Sequence, residues 1–178
     1  MKLEYAQQLV KELEANDKLG KHILRGQVCG SIRRKKQEVH DIDWVIIKNP
    51  ESKYQFGDET LDATIQRLHK HETQEPSLGS KIKRFWYKGE QIELYIADER
   101  TFECLVLIRT GSAEHNVRLT RIARHKGLKL YANGDGLCKI KGGLYNNEPE
   151  EIIKVVEDTE EGILKYLLEK VPEPEKRE

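Results

Sequence analysis

Residues 23–47 read ILRGQVCGSIRRKKQEVHDIDWVII. Ile23 to Cys29 predicts a short strand, Gly30 and Ser31 a turn, and Ile42 to Ile47 a buried strand closed by Asn49 and Pro50. Two strands joined through a basic loop result. Asp41 and Asp43 stand two residues apart at the start of the second strand. Side chains alternate along a strand, so both carboxylates point to one face while Ile42 points into the core. Hard divalent cations such as Mg²⁺ take carboxylate oxygens, and two adjacent carboxylates can bridge a pair of ions about 3.5–4 Å apart, as in two-metal phosphoryl transfer. An Asp-x-Asp at a strand edge is common by itself; the preceding Gly30, Ser31, Ile32, Arg33 and Arg34 give it direction. A Gly-Ser turn offers N–H groups and a hydroxyl to a phosphate, and the arginines neutralise its charge.

Apolar residues at Leu3, Ala6, Leu9, Val10 and Leu13 recur at helical spacing ahead of this stretch. After it, Leu61, Ile65 and Leu68 predict a helix from about Asp58 to His69. A hairpin follows: Ile82 to Tyr87, a turn at Lys88 and Gly89, then Gln91 to Ala97 with a buried and a polar face. Glu93 lies on that polar face, where an antiparallel neighbour would bring it beside the aspartates; Asp98 has the opposite parity. Phe102 to Ile108 is apolar enough for a helix or a strand, and a helix leading to Thr110 and Gly111 is favoured. Ala113 to His125 predicts another, with Ser112 as N-cap and Gly127 as its stop. Leu128–Tyr131, Leu137–Ile140 and Leu144–Tyr145 predict short strands, and Glu160 to Lys170 a last helix.

The chain has 178 residues, 31 Lys+Arg and 31 Asp+Glu. The length favours one domain or two small lobes and excludes a large multidomain enzyme. The zero net charge is a cancellation. Residues 148–178 hold eleven acids and five bases, whereas residues 109–141 hold eight bases and two acids. That basic stretch is either a solvated helix face or a phosphate-binding one. Cys29, Cys104 and Cys138 form no CxxC pair, which favours a reduced, cytosolic protein. No stretch approaches the ~20 apolar residues of a membrane span, and the N-terminus lacks the apolar run of a signal peptide. His69 and His71 lack spaced partners for zinc. Cys29 lacks a His-Asp arrangement and reads as a small buried residue. Trp44 and Trp86 read as packing, with base stacking by Trp86 and Tyr87 the alternative.

GSIRR, then DID, then IEL on a later strand, then RTGSAEHNVRLTRIARHKGLKL together resemble the DNA polymerase X (polymerase beta-like) family of the nucleotidyltransferase superfamily. The resemblance runs from about residue 22 to the C-terminus and implies an α+β fold: a palm with a mixed or antiparallel sheet, residues 1–110, and a small C-terminal α+β thumb, residues 111–178. It implies a DNA-directed DNA polymerase that adds dNTPs to a primer 3′ end and fills short gaps in repair. Two Mg²⁺ ions, replaceable by Mn²⁺, would be held by Asp41, Asp43 and Glu93. Gly30, Ser31, Arg34, Thr110, Gly111, Ser112 and Asn116 would hold the nucleotide. Arg118, Arg121, Arg124 and Lys126 would meet DNA. A monomer without a membrane partner is expected.

Three departures accompany the resemblance. Glu93 stands where the family has its third aspartate; it reaches one methylene further, and a displacement of about an ångström can cost ~100-fold in rate. Ile108 and Arg109 stand where the family has an aromatic pair, and Thr120 where some members carry an arginine, so weak ribonucleotide exclusion or template-independent transfer is an alternative expectation. The 29 residues before Gly30 are too few for an amino-terminal lyase domain or helix-hairpin-helix clamps, so the chain most resembles the minimal viral type. The alternative outside enzymes is a catalytically weak DNA-binding module that keeps the fold.

Overall fold

The computed structural model describes residues 1–53, 60–142 and 150–177. The chain divides into two compact units, Met1–Asp98 and Glu99–Glu178. Both are α+β, as the resemblance implies. Among the described residues no helix is long and apolar enough to cross a membrane.

In the first unit, helix α1 (Leu3–Glu14) buries Ala6, Leu9, Val10 and Leu13 along one stripe. A one-turn helix α2 (Asp17–Gly20) follows, its N-terminus capped by Asn16. Strand β1 (Ile23–Val28) then leads to Gly30, where sequence predicts a turn. The structure forms a single helical turn instead, α3 (Gly30–Arg33), closed by Arg33 N–H on the Cys29 carbonyl and Arg34 N–H on that of Gly30. Strand β2 (Asp41–Lys48) buries Ile42, Trp44, Val45, Ile46 and Ile47 and leaves Asp41 and Asp43 partly exposed. Helix α4 (Leu61–Leu68) is capped by the Thr60 hydroxyl; the expected start at Asp58 lies outside the described residues.

Strands β3 (Ser77–Leu78), β4 (Ile82–Tyr87) and β5 (Glu90–Ala97) complete a five-stranded mixed sheet in the order β1-β2-β5-β4-β3. The hairpin between β4 and β5 turns on Lys88 and Gly89, both at positive φ, 53° and 79°. Two adjacent left-handed residues match the right-handed twist of the flanking strands. One expectation is corrected here. Strand β5 pairs antiparallel with β4 but parallel with β2, with Ile42 opposite Ile92 and Trp44 opposite Leu94. Glu93 therefore meets the aspartates across a parallel pair. The face read as polar is not open either: β5 lies inside the sheet with a strand on each side, and Glu93 and Tyr95 are both buried. Leu9, Leu13, Ile42, Trp44, Ile46, Ile65, Phe85, Ile92 and Leu94 form the core on the opposite face.

The second unit opens with α5 (Phe102–Thr110) and α6 (Ala113–His125), the latter capped by the Ser112 hydroxyl on His115 N–H at 3.2 Å. Strands β6 (Lys129–Tyr131), β7 (Gly136–Lys141) and β8 (Glu151–Glu157) form an antiparallel sheet, and α7 (Glu160–Leu167) follows. Strand β8 is absent from the sequence reading. Helix α7 stops at Leu167 rather than Lys170 because Leu168 is already extended, at φ −120° and ψ 146°. The expected strand at Leu144–Tyr145 lies outside the described residues. Leu107, Leu119, Ala123, Leu130, Leu137, Ile163 and Leu164 make this unit's core.

Candidate functional site

The sheet register builds the first group of candidate residues. Asp43 on β2 lies opposite Glu93 on β5, which lies opposite Arg84 on β4, which lies opposite Ser77 on β3. Paired residues share a face, so one row crosses four strands with an acid, an acid and a base in succession. Asp41, two residues before Asp43, extends the acidic face along β2.

Gly30 is packed against this row. The Cys29 N–H donates to the Asp43 carbonyl at 2.8 Å, which lays the start of α3 on β2. Gly30 has φ +56°, and a Cβ there would lie 2.2 Å from Asp43 Oδ2. The sequence gives Gly30 a phosphate-cradling role; the structure adds that only glycine leaves room for the Asp43 carboxylate. Ser31 and Arg34, on and just after the same helical turn, are partly buried.

Glu93 has the most elaborate surroundings. Its Oε1 accepts from Arg84 Nε at 2.6 Å and from Gln91 Nε2 at 3.0 Å, and Arg84 Nη2 lies 2.5 Å away. The Tyr95 hydroxyl donates to Oε2. Gln91 and Tyr95 lie two residues to either side on the same face of β5. Sequence reasoning missed all three partners, yet the signal was there: Arg84 and Glu93 are equidistant from the Lys88-Gly89 turn, and a two-residue hairpin turn pairs equidistant positions.

The carboxylates feel one another. Burial raises the Asp41 carboxyl above its ordinary range, and the negative charge of Glu93 raises it further, against His40 and Arg84, which lower it. Desolvation combined with a like charge disfavours ionisation, and a cation relieves both. Asp41 and Asp43 therefore suit a hard divalent cation. Glu93 is the most engaged of the three: of the about four acceptor positions a carboxylate offers, Arg84 and Gln91 fill those on Oε1 and Tyr95 takes one on Oε2. Among the described residues, no group of three His, Cys, Asp or Glu side chains is placed to hold a metal ion.

The second unit carries the remaining candidates. Thr110 ends α5 fully buried, Gly111 has φ 71°, and Ser112 caps α6. Asn116 Nδ2 donates to the Ile108 carbonyl at 2.8 Å, and its Oδ1 has no hydrogen-bond partner among the described residues. Arg118, Arg121 and Arg124 are exposed along one side of α6, opposite the buried stripe of His115, Leu119 and Ala123. A surface groove of about 360 Å³ runs along Arg121 and Arg124, lined also by Asn116, Val117 and Thr120. Lys126 differs from these arginines. Its Nζ donates to the Tyr166 carbonyl at 3.1 Å and sits 5.4 Å from that ring's centre.

Two buried groups beneath this turn also escaped the sequence reading. Arg177 is 3% exposed; Nη1 meets Glu160 Oε1 at 2.5 Å, Nε donates to the Pro172 carbonyl, and its own carbonyl accepts from Ser112 N–H. His115, 2% exposed, has its imidazole pKa pushed down to about 4, first by desolvation and then by the charges of Arg177 and Arg118.

With this geometry in hand, the comparisons are specific. Residues 105–178 match the DNA polymerase beta thumb family. The DNA polymerase/3′-5′ exonuclease PolX of Bacillus subtilis (strain 168) is 23% identical over 130 residues, 73% of this chain. The crystal structure of Leishmania infantum polymerase beta in a ternary P/T complex superposes on the whole chain with a TM-score of 0.70 at 19% identity, covering 76% of that chain. Residues 105–178 are thus similar to a polymerase beta thumb, and the chain as a whole shares the fold of polymerase beta. It spans 22% of the length of the Bacillus relative. Against the family that the motifs resemble, one departure is Glu93. The family resemblance places an aspartate there, and this chain has a longer carboxylate that donors on its own strand and the next already occupy.

Proposed function

We propose that the chain is a nucleotidyltransferase that extends a nucleic-acid primer 3′ end with dNTPs on a template, most naturally in filling short gaps during DNA repair. Asp41 and Asp43 together carry this reading: two carboxylates on one sheet face, with Gly30 packed against Asp43. In the reaction, the primer 3′ oxygen attacks the α-phosphorus, the bond to the β-phosphate oxygen breaks, and pyrophosphate leaves. Asp41 and Asp43 are the residues that would hold Mg²⁺, or Mn²⁺ in its place; such an ion supplies Lewis-acid stabilisation of charge on the transferring phosphoryl group. Gly30, Ser31 and Arg34 are assigned to the triphosphate, and Thr110, Gly111, Ser112 and Asn116 to the nucleotide. Arg118, Arg121, Arg124 and Lys126 are assigned to the phosphates of DNA. Residues 1–110 act as the palm and 111–178 as the thumb, and the chain works as a monomer.

Extension of gapped, primed and single-stranded substrates, under Mg²⁺ and under Mn²⁺, tests the reading. Template-dependent extension that Asp43→Ala abolishes while salt-sensitive DNA binding survives is the expected result; extension that survives Asp43→Ala overturns it. Arg109 and Thr120 favour a second reading, transfer that tolerates ribonucleotides or needs no template. Strict dependence on template and dNTPs removes it. The occupied state of Glu93 favours a third, a catalytically weak DNA-binding module, which absence of extension on every substrate supports.

A further inference from the structure

The row of charge across the sheet contains its own cation. Arg84 comes from β4, the strand on the far side of β5 from the aspartates, and its side chain is 48% exposed while that of Glu93 is 9% exposed. The arginine thus reaches inward to a carboxylate that the sheet has largely removed from water. A buried carboxylate needs a partner, because unpaired it carries an uncompensated desolvation penalty. In many enzymes a bound metal ion supplies that compensation. Here a guanidinium supplies it, with two nitrogens on Oε1, and Gln91 and Tyr95 complete the shell. Glu has one methylene more than Asp, and that length carries the carboxylate from β5 towards β4.

We infer that Arg84 is a positioning residue that holds Glu93 out of the cation site, so that Asp41 and Asp43 take a divalent ion as a two-carboxylate site whose affinity the Arg84–Glu93 pair keeps low. The inference rests on the reading that the aspartate pair takes such an ion. Arg84 acts through Glu93: released from the guanidinium, Glu93 regains acceptor positions and lies in register beside Asp43. A guanidinium also repels a nearby cation through space, whatever Glu93 does. The two effects separate because only the first requires the carboxylate.

The experiment is Mn²⁺ titration of the purified chain, followed by electron paramagnetic resonance without nucleotide or DNA. The proteins are wild type, Arg84→Leu, Glu93→Gln and the double variant. Arg84→Leu tightens Mn²⁺ binding tenfold or more, and the same change made in the Glu93→Gln background alters it less than twofold. Equal tightening in both backgrounds overturns the inference in favour of through-space repulsion, and no tightening by Arg84→Leu overturns it outright. Arg84→Gln, which keeps a donor, gives an intermediate affinity and stands in for Arg84→Leu if that variant melts early by circular dichroism. Asp43→Asn separates the inference from its premise. If it leaves Mn²⁺ binding unchanged, the aspartate reading itself fails; if it removes binding while Arg84→Leu has no effect, only the role of Arg84 falls.

Discussion

Glu93 in the first unit and Arg121 in the second are both charged residues on regular elements, and the chain treats them in opposite ways. Glu93 is buried in mid-sheet and engaged by Arg84, Gln91 and Tyr95. Arg121 stands exposed on α6 beside Arg118 and Arg124, facing a groove. Buried charge is committed, because leaving water demands partners before any ligand arrives. Exposed charge is uncommitted and is screened beyond about 8–10 Å at physiological salt, so its effect falls as ionic strength rises. The carboxylate face should therefore respond to substitution through geometry and the arginine face through ionic strength.

Gly30→Ala is the sharpest way to break the first half of that contrast. A Cβ at this position meets the Asp43 carboxylate at 2.2 Å, and the φ of +56° disfavours alanine. The obstructing atom is the end of a short side chain, which can swing away. The fold then loses about 1–2 kcal/mol from backbone strain, while under the proposed function a carboxylate displaced by an ångström lowers extension ~100-fold. Thermal melting against primer-extension rate separates these effects. A rate loss no larger than fivefold would show that Asp43 does not need its observed position.

Arg177→Met extends the lesson of commitment to the second unit. It leaves the Glu160 carboxylate without the guanidinium that meets it at 2.5 Å, and Glu160 is itself largely buried. Removing one partner of a buried pair costs about 3–5 kcal/mol, whereas replacing both costs much less. The expected outcome is a large drop in the urea midpoint for Arg177→Met and partial recovery in Glu160→Gln/Arg177→Met. Equal loss in both shows that packing rather than charge holds the C-terminal segment.

His115 gives a pH-dependent version of the same point. Its folded pKa, about 4, lies below the ordinary 6.5, so the folded state resists the proton and the unfolded state accepts it. Its contribution is fully present above pH 6.5 and is lost as pH falls from 6.5 towards 4, by up to about 3 kcal/mol at 1.36 kcal/mol per pKa unit. Urea midpoints at pH 7 and pH 4.5 should diverge in the wild type and much less in His115→Phe. The same divergence in both would assign the acid sensitivity elsewhere.

The legibility of the chain follows the same division between local and distant. The strand IDWVII was readable because a continuous apolar run bounded by Asn49 and Pro50 has few alternatives, and α6 because Ser112 and Gly127 mark its ends. The sheet order was not readable. The parallel pairing of β2 with β5 joins segments separated by α4 and a hairpin, and nothing local in either strand states which edge the hairpin adds to. Strand β8 was missed because its segment, EIIKVVE, is exposed on both faces for most of its length and lacks the alternation that marks a half-buried strand. The shared face of Asp41 and Asp43 was legible from parity alone. The partners of Glu93 needed the hairpin register, and the burial of Arg177 needed tertiary contacts that a polar C-terminal segment does not announce.

The smallest expected effects lie on α6, and they sharpen the other half of the contrast. Under the DNA-binding assignment, an exposed arginine that neutralises one phosphate releases one counterion's worth of salt dependence. Arg118→Ala, Arg121→Ala and Arg124→Ala should then each lower the slope of log affinity against log salt by about 0.9 on duplex DNA, with only a few-fold loss at moderate salt. Lys126 belongs to the same basic stretch, and the resemblance implies the same role for it. In the structure its ammonium is committed to the Tyr166 carbonyl and ring. Lys126→Ala should leave the slope unchanged and lower the melting temperature slightly. If Lys126→Ala instead shifts the slope as the arginines do, its contact with Tyr166 yields to DNA and exposure alone decides which cations are available. If only the arginines respond, a charge held by a carbonyl and a ring is already spent, as Glu93 is at the other site.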